Sequence, residues 1–142
     1  MTDDIKKAKE TLLSGGYTCV ICRRDEIYAD TQRGVKPLLD LLDKGVRLPG
    51  FSAADKVVGK AAAMLYVLLG VTAIYAPVIS SLAKDVLLKN GIELIYDEEV
   101  DAIKNRSGDG FCPMEMLVKN INEPYVAYPA IKKKLLELQK KK

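Results

Sequence analysis

The residues of this chain best suited to chemistry lie in the segment 108–115, which reads GDGFCPME. Pro113 fits the first position of a helix, so we predict Cys112 as the N-cap and Glu115 as the residue that bonds back to it. A helix N-terminus stabilises a thiolate, and Gly108 and Gly110 allow the backbone to approach a ligand closely. Two interpretations stay open: a reactive Cys112 with Glu115 as acid or base, or a helix cap with a small apolar side chain.

Five further side chains are candidates for binding a small ligand: Asp55, Lys56, Lys60, Ser80 and Ser81. Lys60 lies in an otherwise apolar stretch, where its ammonium could bind a phosphate or a carboxylate. Alternatively, its alkyl stem lies along the surface and its charge stays in water. Ser80 and Ser81 could offer hydroxyl groups to an anion, but they equally fit the start of a helix. Asp55 stands three residues after a hydroxyl, which is also the pattern of a capping box.

The chain contains no histidine and three cysteines, and this limits the chemistry open to it. The lack of histidine excludes Ser-His and Cys-His catalysis and histidine ligands for zinc. Cys19 and Cys22 lie three residues apart in a predicted strand, so they point to opposite faces and cannot hold a metal together. We predict buried, unreactive thiols there, no metal site and no cofactor.

Length and charge favour a single domain over residues 1–142. The net charge is +3, and six lysines lie in the runs 132–134 and 140–142; without them the charge is −3. No strong signal for nucleic-acid binding therefore remains. The apolar stretch 61–76 is interrupted by Gly70 and Thr72, which argues against a membrane span. An odd number of cysteines and no export signal predict a cytoplasmic protein with no membrane contact.

Hydrophobic periodicity predicts alternating helices and strands. A helix over 3–14 stops at two glycines, and strands over 17–22 and 27–29 form an antiparallel hairpin. A helical region follows the capping box of Ser52 and Asp55 and extends to residue 69. Further helices are predicted over 35–42, 113–120 and 124–142, and a short strand or extended arm over 100–105.

The segment 71–96 predicts a parallel strand–helix–strand unit. Residues 71–76 form an almost fully apolar strand, which indicates a central position covered on both faces. Pro77 follows, then a helix over 82–89 and a strand over 92–96. Ligands in such folds bind beyond the carboxyl ends of the strands. We therefore expect the segments 47–60, 76–81 and 108–115 to converge on one site.

The order of elements over 59–96 resembles the core of the cytidine deaminase fold. In those enzymes the first helix carries a His-Ala-Glu or Cys-Ala-Glu triplet, and the second begins with Pro-Cys-x-x-Cys. Together these motifs bind zinc and supply a catalytic glutamate. Here the corresponding positions read GKA at 59–61 and PVISS at 77–81, so none of those ligands is present. The resemblance thus implies the scaffold without zinc-dependent deamination.

The chain also resembles a small family of uncharacterised prokaryotic proteins that have this fold and no zinc motif. The matching segments are DKVVGKAAA at 55–63 and CPME at 112–115, and the resemblance covers residues 5–117. It implies a cytidine deaminase-like, three-layer α/β/α sandwich on a mixed sheet of about five strands. It implies no established activity.

Three functions are compatible with these residues. The preferred one is a module that binds a nucleotide or another small anion through Lys60, Ser80 and the loop 108–112. A second is a metal-free enzyme in which Cys112 is the nucleophile, Glu115 the acid or base and Lys60 an electrostatic stabiliser. A third is a homo-oligomer, such as a dimer, built through apolar helix faces. Whether the protein is an enzyme, and which ligand it takes, cannot be read from the sequence.

Overall fold

The fold is taken from a computed structural model, whose described residues are 2–104, 110 and 112–140. Along this part of the chain, six helices and six strands form a mixed α/β fold. The helices are α1 (Asp3–Gly15), α2 (Lys36–Asp43), α3 (Lys60–Leu69), α4 (Ser81–Lys89), α5 (Pro113–Val118) and α6 (Pro124–Lys140). The strands are β1 (Cys19–Arg23), β2 (Glu26–Asp30), β3 (Ser52–Asp55), β4 (Val57–Val58), β5 (Ala73–Ser80) and β6 (Glu93–Val100).

These strands form one mixed sheet. β1 pairs antiparallel with β2 and β3, whereas β3, β4 and β6 run parallel to β5. β3 and β4 share one edge of β5 in the same register, since Ser52 lies opposite Ala73 and Val57 opposite Val78. They are separated at Lys56, whose carbonyl accepts the amide of Val78 at 3.3 Å. Because β6 pairs along the other edge of β5, the sheet is five strands wide.

Helices pack on both faces of the sheet, but unequally. α1 covers one face, where Ile5, Ala8 and Leu12 pack with residues of β1, β3 and β5. The other helices contribute to a larger core on the opposite face. α3 lies at the centre of that core, and eight of its ten residues are buried. Its small side chains at 61–63 allow close packing, so the start of α3 is held firmly against its neighbours.

β6 forms an exposed edge of the sheet. Its sequence, ELIYDEEV, carries four acidic side chains, and all eight of its residues are exposed or half-buried. Within the described residues, its paired neighbour is β5 alone. Charged side chains on an edge strand oppose pairing with another chain.

The helical region predicted from Ser52 onward is wrong in its first part. Ser52 and Asp55 are the ends of β3, a buried strand between β1 and β5, and not a capping box. Ala53 packs into the core under α3, and Ala54 packs on the α1 side. Pairing on both edges and burial on both faces therefore outweigh the helix preference of alanine. The helix begins only at Lys60.

The sequence predicted that the central strand ends before Pro77, and this is wrong. β5 continues through it to Ser80, although proline provides no amide for the ladder. The register with β6 pairs Ala76 with Tyr96 and Val78 with Glu98, and it passes over Pro77. β6 is correspondingly longer than predicted. Val100 ends it, so residue 100 does not begin a separate strand, and residue 105 lies outside the described residues.

Several predicted elements are confirmed. The β1–β2 hairpin is antiparallel, and β5, α4 and β6 form the parallel strand–helix–strand unit. Ser80 is the N-cap of α4. Cys19 and Cys22 are both buried and pack on opposite faces of the sheet, as the strand period requires. In the part of the chain that the structure describes, no helix is both long enough and apolar enough to cross a membrane.

Candidate functional site

The start of α3 is capped by a side chain from another helix. Its N-cap, Gly59, is extended and has no side chain to accept the first amides. Glu115 of α5 takes that role, because its Oε1 accepts a hydrogen bond from the backbone amide of Lys60. The predicted bond from Glu115 back to its own cap is wrong, since the Cys112 amide donates to the Ile103 carbonyl at 2.9 Å. Glu115 instead joins α5 to the central helix.

The contact between Glu115 and Gly59 leaves no room for a side chain at position 59. A Cβ atom there would lie 2.5 Å from Oε1 of Glu115 and 2.9 Å from its Cδ. The other carboxylate oxygen, Oε2, is buried and has no hydrogen-bond partner among the described residues. One oxygen of this buried carboxylate is therefore used by the helix cap, and the other is left unsatisfied.

The Lys60 side chain is buried with few polar contacts. It is 5% exposed, and its Nζ donates to the carbonyl of Lys119 at 3.0 Å. No carboxylate of the described residues lies within 4.0 Å of this Nζ. Burial lowers the pKa of the Lys60 ammonium, and the nearby Glu115 carboxylate partly opposes that shift. The charge of Lys60 is thus poorly compensated by the described residues.

Lys60 lines a cavity of about 300 Å³ between α3, α4 and the connection from α5 to α6. Lys60 and Met64 are its buried floor, and Leu82 and Val86 add apolar wall. Pro124 and five exposed polar residues complete the lining: Asp85, Lys89, Asn90, Asn122 and Glu123. Two lysines are thus balanced by two acids, and two amides can donate or accept. The volume is at the lower end of the range for small-molecule sites.

A second groove, of about 570 Å³, lies at the carboxyl ends of the parallel strands. Val57, Val78 and Val100 from β4, β5 and β6 line it, together with residues 101–104. Asp101 and Lys104 are the charged residues of its lining. It is the larger of the two, but the cavity lined by Lys60 has a buried charged group on its floor, which makes this Lys60 cavity the better candidate for a site.

The other predicted site residues lie outside the Lys60 cavity. Ser80 is buried, and its Oγ accepts the amide of Ala83 at 3.2 Å, as a helix cap does. Ser81 donates from its hydroxyl to Glu99 at 2.7 Å. Lys56 is exposed between β3 and β4. These three side chains are therefore not brought together with Lys60.

The loop before α5 is described only in part. Cys112 is half-buried at the N-cap of α5, and its thiol makes no capping hydrogen bond. Gly110 is described and half-buried, whereas Gly108 lies outside the described residues. Of the predicted catalytic pair, Glu115 accepts the backbone amide of Lys60 at the start of α3. Cys112 lies three residues before Glu115, at the N-cap of α5.

Asp55 belongs to a different, fully buried polar cluster. The hydroxyl of Tyr66 donates to its Oδ2 at 2.7 Å, and the Cys19 thiol lies 3.2 Å from the same hydroxyl. Burial raises the pKa of Asp55 to about 7, although hydrogen bonds from Tyr66 and the Val57 amide favour the charged form. Burial and the neighbouring Asp55 also raise the pKa of the Cys19 thiol, which disfavours its reactive form. This Asp55 cluster lies under α3, where Tyr66 is in the second turn of the helix.

Comparison with known proteins places the chain in a family. A family model described as a domain of unknown function, DUF1893 (TM1506), matches residues 7–135. The chain belongs to the DUF1893 family. A crystal structure of a DUF1893 family protein, TM1506 from Thermotoga maritima, is 25% identical, with a TM-score of 0.87 over 94% of this chain and 91% of that one. The search of curated proteins found no match.

For this DUF1893 chain, the sequence identified Lys60 on the floor of the cavity and Glu115, which caps the helix of Lys60, but not the rest of the lining. Lys60 and Glu115 were singled out, and the structure brings them together at the start of α3. The exposed residues of the cavity were missed because each one reads as an ordinary surface residue of a helix or loop. Tyr66 was also missed, although a hydroxyl within an almost fully apolar helix signals a buried partner.

Proposed function

We propose that this DUF1893 protein binds a small anionic ligand, of the size of a mononucleotide or less, in the Lys60 cavity. The observation that carries the proposal is the buried ammonium of Lys60, which contacts the Lys119 carbonyl and no carboxylate of the described residues. A buried charge without an opposite charge is costly. A ligand phosphate or carboxylate at Nζ supplies the missing partner.

The rest of the lining indicates what else the ligand presents. Lys89, Asn90 and Asn122 offer further donors at the rim, and Asp85 and Glu123 offer acceptors. Met64 and Leu82 provide an apolar surface on the floor and wall. The preferred ligand therefore has an anionic group, at least one hydrogen-bond donor and a compact apolar or aromatic part.

The proposal includes a cytidine deaminase-like scaffold that has lost its metal. In support, α3 and α4 follow parallel strands of one sheet, and α3 begins at Lys60 in the segment that carries the first deaminase motif. α4 begins after Ser80, in the segment of the second motif. Lys60 and Leu82, from the first turns of these two helices, both line the cavity. In this interpretation, the ligand pocket is retained and the lysine occupies the region of the former metal.

A thermal-shift experiment tests the ligand. The panel contains mononucleotides, inorganic phosphate and small carboxylates, and a ligand at one hundred times its Kd stabilises the fold by about 2.7 kcal/mol. For a chain of this length, that corresponds to a rise in Tm of about 5–10 °C. We expect Lys60→Met to abolish the rise and the exposed Lys56→Met to leave it unchanged.

Two outcomes contradict the proposal. One is a panel in which no compound changes the Tm of the wild-type chain. The other is a rise of the same size in Lys60→Met and in the wild type, which would place the ligand elsewhere.

Other statements remain predictions from the sequence. Cys112 as the nucleophile of a metal-free enzyme, with Glu115 as acid or base, is one of them. A homo-oligomer is another, and light scattering at micromolar concentration tests it directly. A cytoplasmic location and a prokaryotic source also remain predictions.

A further inference from the structure

We infer that Nζ of Lys60 is a nucleophile that forms an imine with the carbonyl group of a small oxo acid bound in the Lys60 cavity. The inference rests on the proposed function, since it uses the same cavity. It adds a reaction and narrows the ligand to compounds that carry a carbonyl group beside a carboxylate.

The position of Nζ suits this chemistry. Lys60 is on the buried floor of the cavity, and its hydrogen bond to Lys119 joins one N–H to a carbonyl oxygen. A carbonyl oxygen accepts hydrogen bonds and cannot occupy the lone pair of a neutral amine. A neutral Nζ can therefore keep this bond while its lone pair is directed elsewhere, toward a carbonyl carbon in the cavity.

The surroundings make the neutral amine of Lys60 easier to reach than that of an exposed lysine. Lys60 is the first residue of α3, where the positive end of the helix dipole opposes a second positive charge. Burial lowers the pKa of its ammonium, and lysines desolvated in this way form Schiff bases with carbonyl substrates. The charged groups around it are Glu115, which favours the ammonium, and Asp85, Lys89 and Glu123 of the cavity.

The reaction is balanced without an oxidant or a reductant. The Nζ lone pair forms a C–N bond to the carbonyl carbon, and the carbonyl oxygen takes up the proton that nitrogen loses. The carbinolamine hydroxyl then takes up a proton and leaves as water while the nitrogen loses its remaining proton, and the nitrogen lone pair forms the C=N bond of the imine. Asp85 and Glu123 line the cavity and can deliver and accept these protons.

The other hydrogen-bond donors of the cavity indicate which oxo acid is bound. Lys89, Asn90 and Asn122 lie on the same cavity lining as Lys60 and can bind a carboxylate while Nζ attacks the neighbouring carbonyl. The cavity volume of about 300 Å³ suits a small monoanion better than a triphosphate. A short 2-oxo acid fits both the volume and the donors.

Reductive trapping tests the inference on the full-length chain. The protein is treated with glyoxylate and cyanoborohydride, and peptide mass mapping then locates each carboxymethyl group. We expect Lys60 to be modified about tenfold faster than the exposed Lys133, although Lys60 is the more buried. Lys60→Arg keeps the positive charge and should lose the major adduct, whereas the matched variant Lys56→Arg, at an exposed position outside the cavity, should keep it.

A pattern in which the adducts follow exposure, with Lys60 modified last, overturns the inference. Glycolate, which has no carbonyl group, separates this result from a failure of the proposed function. If glycolate raises Tm in the wild type and not in Lys60→Met, the cavity binds the acid and only the imine is refuted. If Lys60→Arg does not fold, glycolate must still slow trapping at Lys60 in the wild type, and unchanged trapping counts against the cavity.

Discussion

Asp55→Asn should change how the stability of this chain depends on pH. In the fold, burial raises the pKa of Asp55 to about 7, compared with 3.8 for an ordinary Asp. Because the pKa is higher in the folded state, the folded chain binds more protons than the unfolded chain between these two values. Stability contributed by this group is therefore highest at low pH and falls as the pH rises from about 4 to about 7. Asparagine cannot ionise, so the variant lacks this dependence.

The magnitude follows from the same pKa values. At about 1.4 kcal/mol for each pH unit, the pKa difference corresponds to a loss on the order of 4 kcal/mol above pH 7. The amide can still accept the 2.7 Å hydrogen bond from Tyr66, at a cost of about 1 kcal/mol for poorer pairing. Near pH 8, Asp55→Asn should thus be more stable than the wild type by about 3 kcal/mol, and near pH 4 slightly less stable.

Urea unfolding at a series of pH values measures this difference. The chain has seven tyrosines and no tryptophan, so circular dichroism is the better probe. Groups other than Asp55 titrate in both proteins, and their contributions cancel when the two curves are subtracted. Asp25→Asn, at an exposed position between β1 and β2, is the matched control and should follow the wild-type curve. Parallel curves for Asp55→Asn and the wild type would refute the reasoning.

Two further predictions concern the start of α3 and the thiols. Gly59→Ala places a Cβ against the Glu115 carboxylate and should lower the free energy of unfolding by about 1–3 kcal/mol, measured in urea. In a chain that already carries Glu115→Ala, Gly59→Ala should leave the free energy of unfolding nearly unchanged. If Gly59→Ala lowers this free energy equally with and without Glu115→Ala, the clash is not the cause. Iodoacetamide should label the half-buried Cys112 well before the buried Cys19 and Cys22; equal rates would contradict the order of burial.

The sequence predicted those parts of the fold whose local signals and tertiary partners agree. The β5–α4–β6 unit was recognised because an apolar strand, a serine cap and a second strand follow one another. Its boundaries were wrong at Pro77, since proline normally ends a central strand. In this fold, the strand continues because the remaining residues of β5 still pair with β4 and β6 on its two edges.

The segment Ser52–Asp55 shows why local pattern alone was insufficient. A hydroxyl, two alanines and an acid form a good helix start, and nothing local distinguishes them from a strand. Whether these residues form a helix or a strand is decided by β1 and β5, which are distant in sequence and pair with the two edges of this segment. The prediction missed the role of Asp55 because it assigned this residue to a helix. Tyr66 contacts Asp55 only when Asp55 is in β3, under α3.

The candidate site was predictable only where unusual residues mark it. A lysine in an apolar stretch and a glutamate in the first turn after a proline stood out, and the structure brings both to Gly59. Their connection was not predictable, because a capping carboxylate normally comes from its own helix. The rim of the cavity is assembled from α4 and from the α5–α6 connection, so no single segment of sequence carries its pattern.

The acidic edge strand has a consequence for how copies of this chain meet. Extending the sheet through β6 would set Glu93, Asp97, Glu98 and Glu99 of one copy beside the same carboxylates of another. Their mutual repulsion, strongest at low ionic strength, discourages continuous intermolecular sheets and fibril growth from this side. Neutralising β6 by acid or by substitution would therefore remove this repulsion and make the exposed edge prone to aggregation.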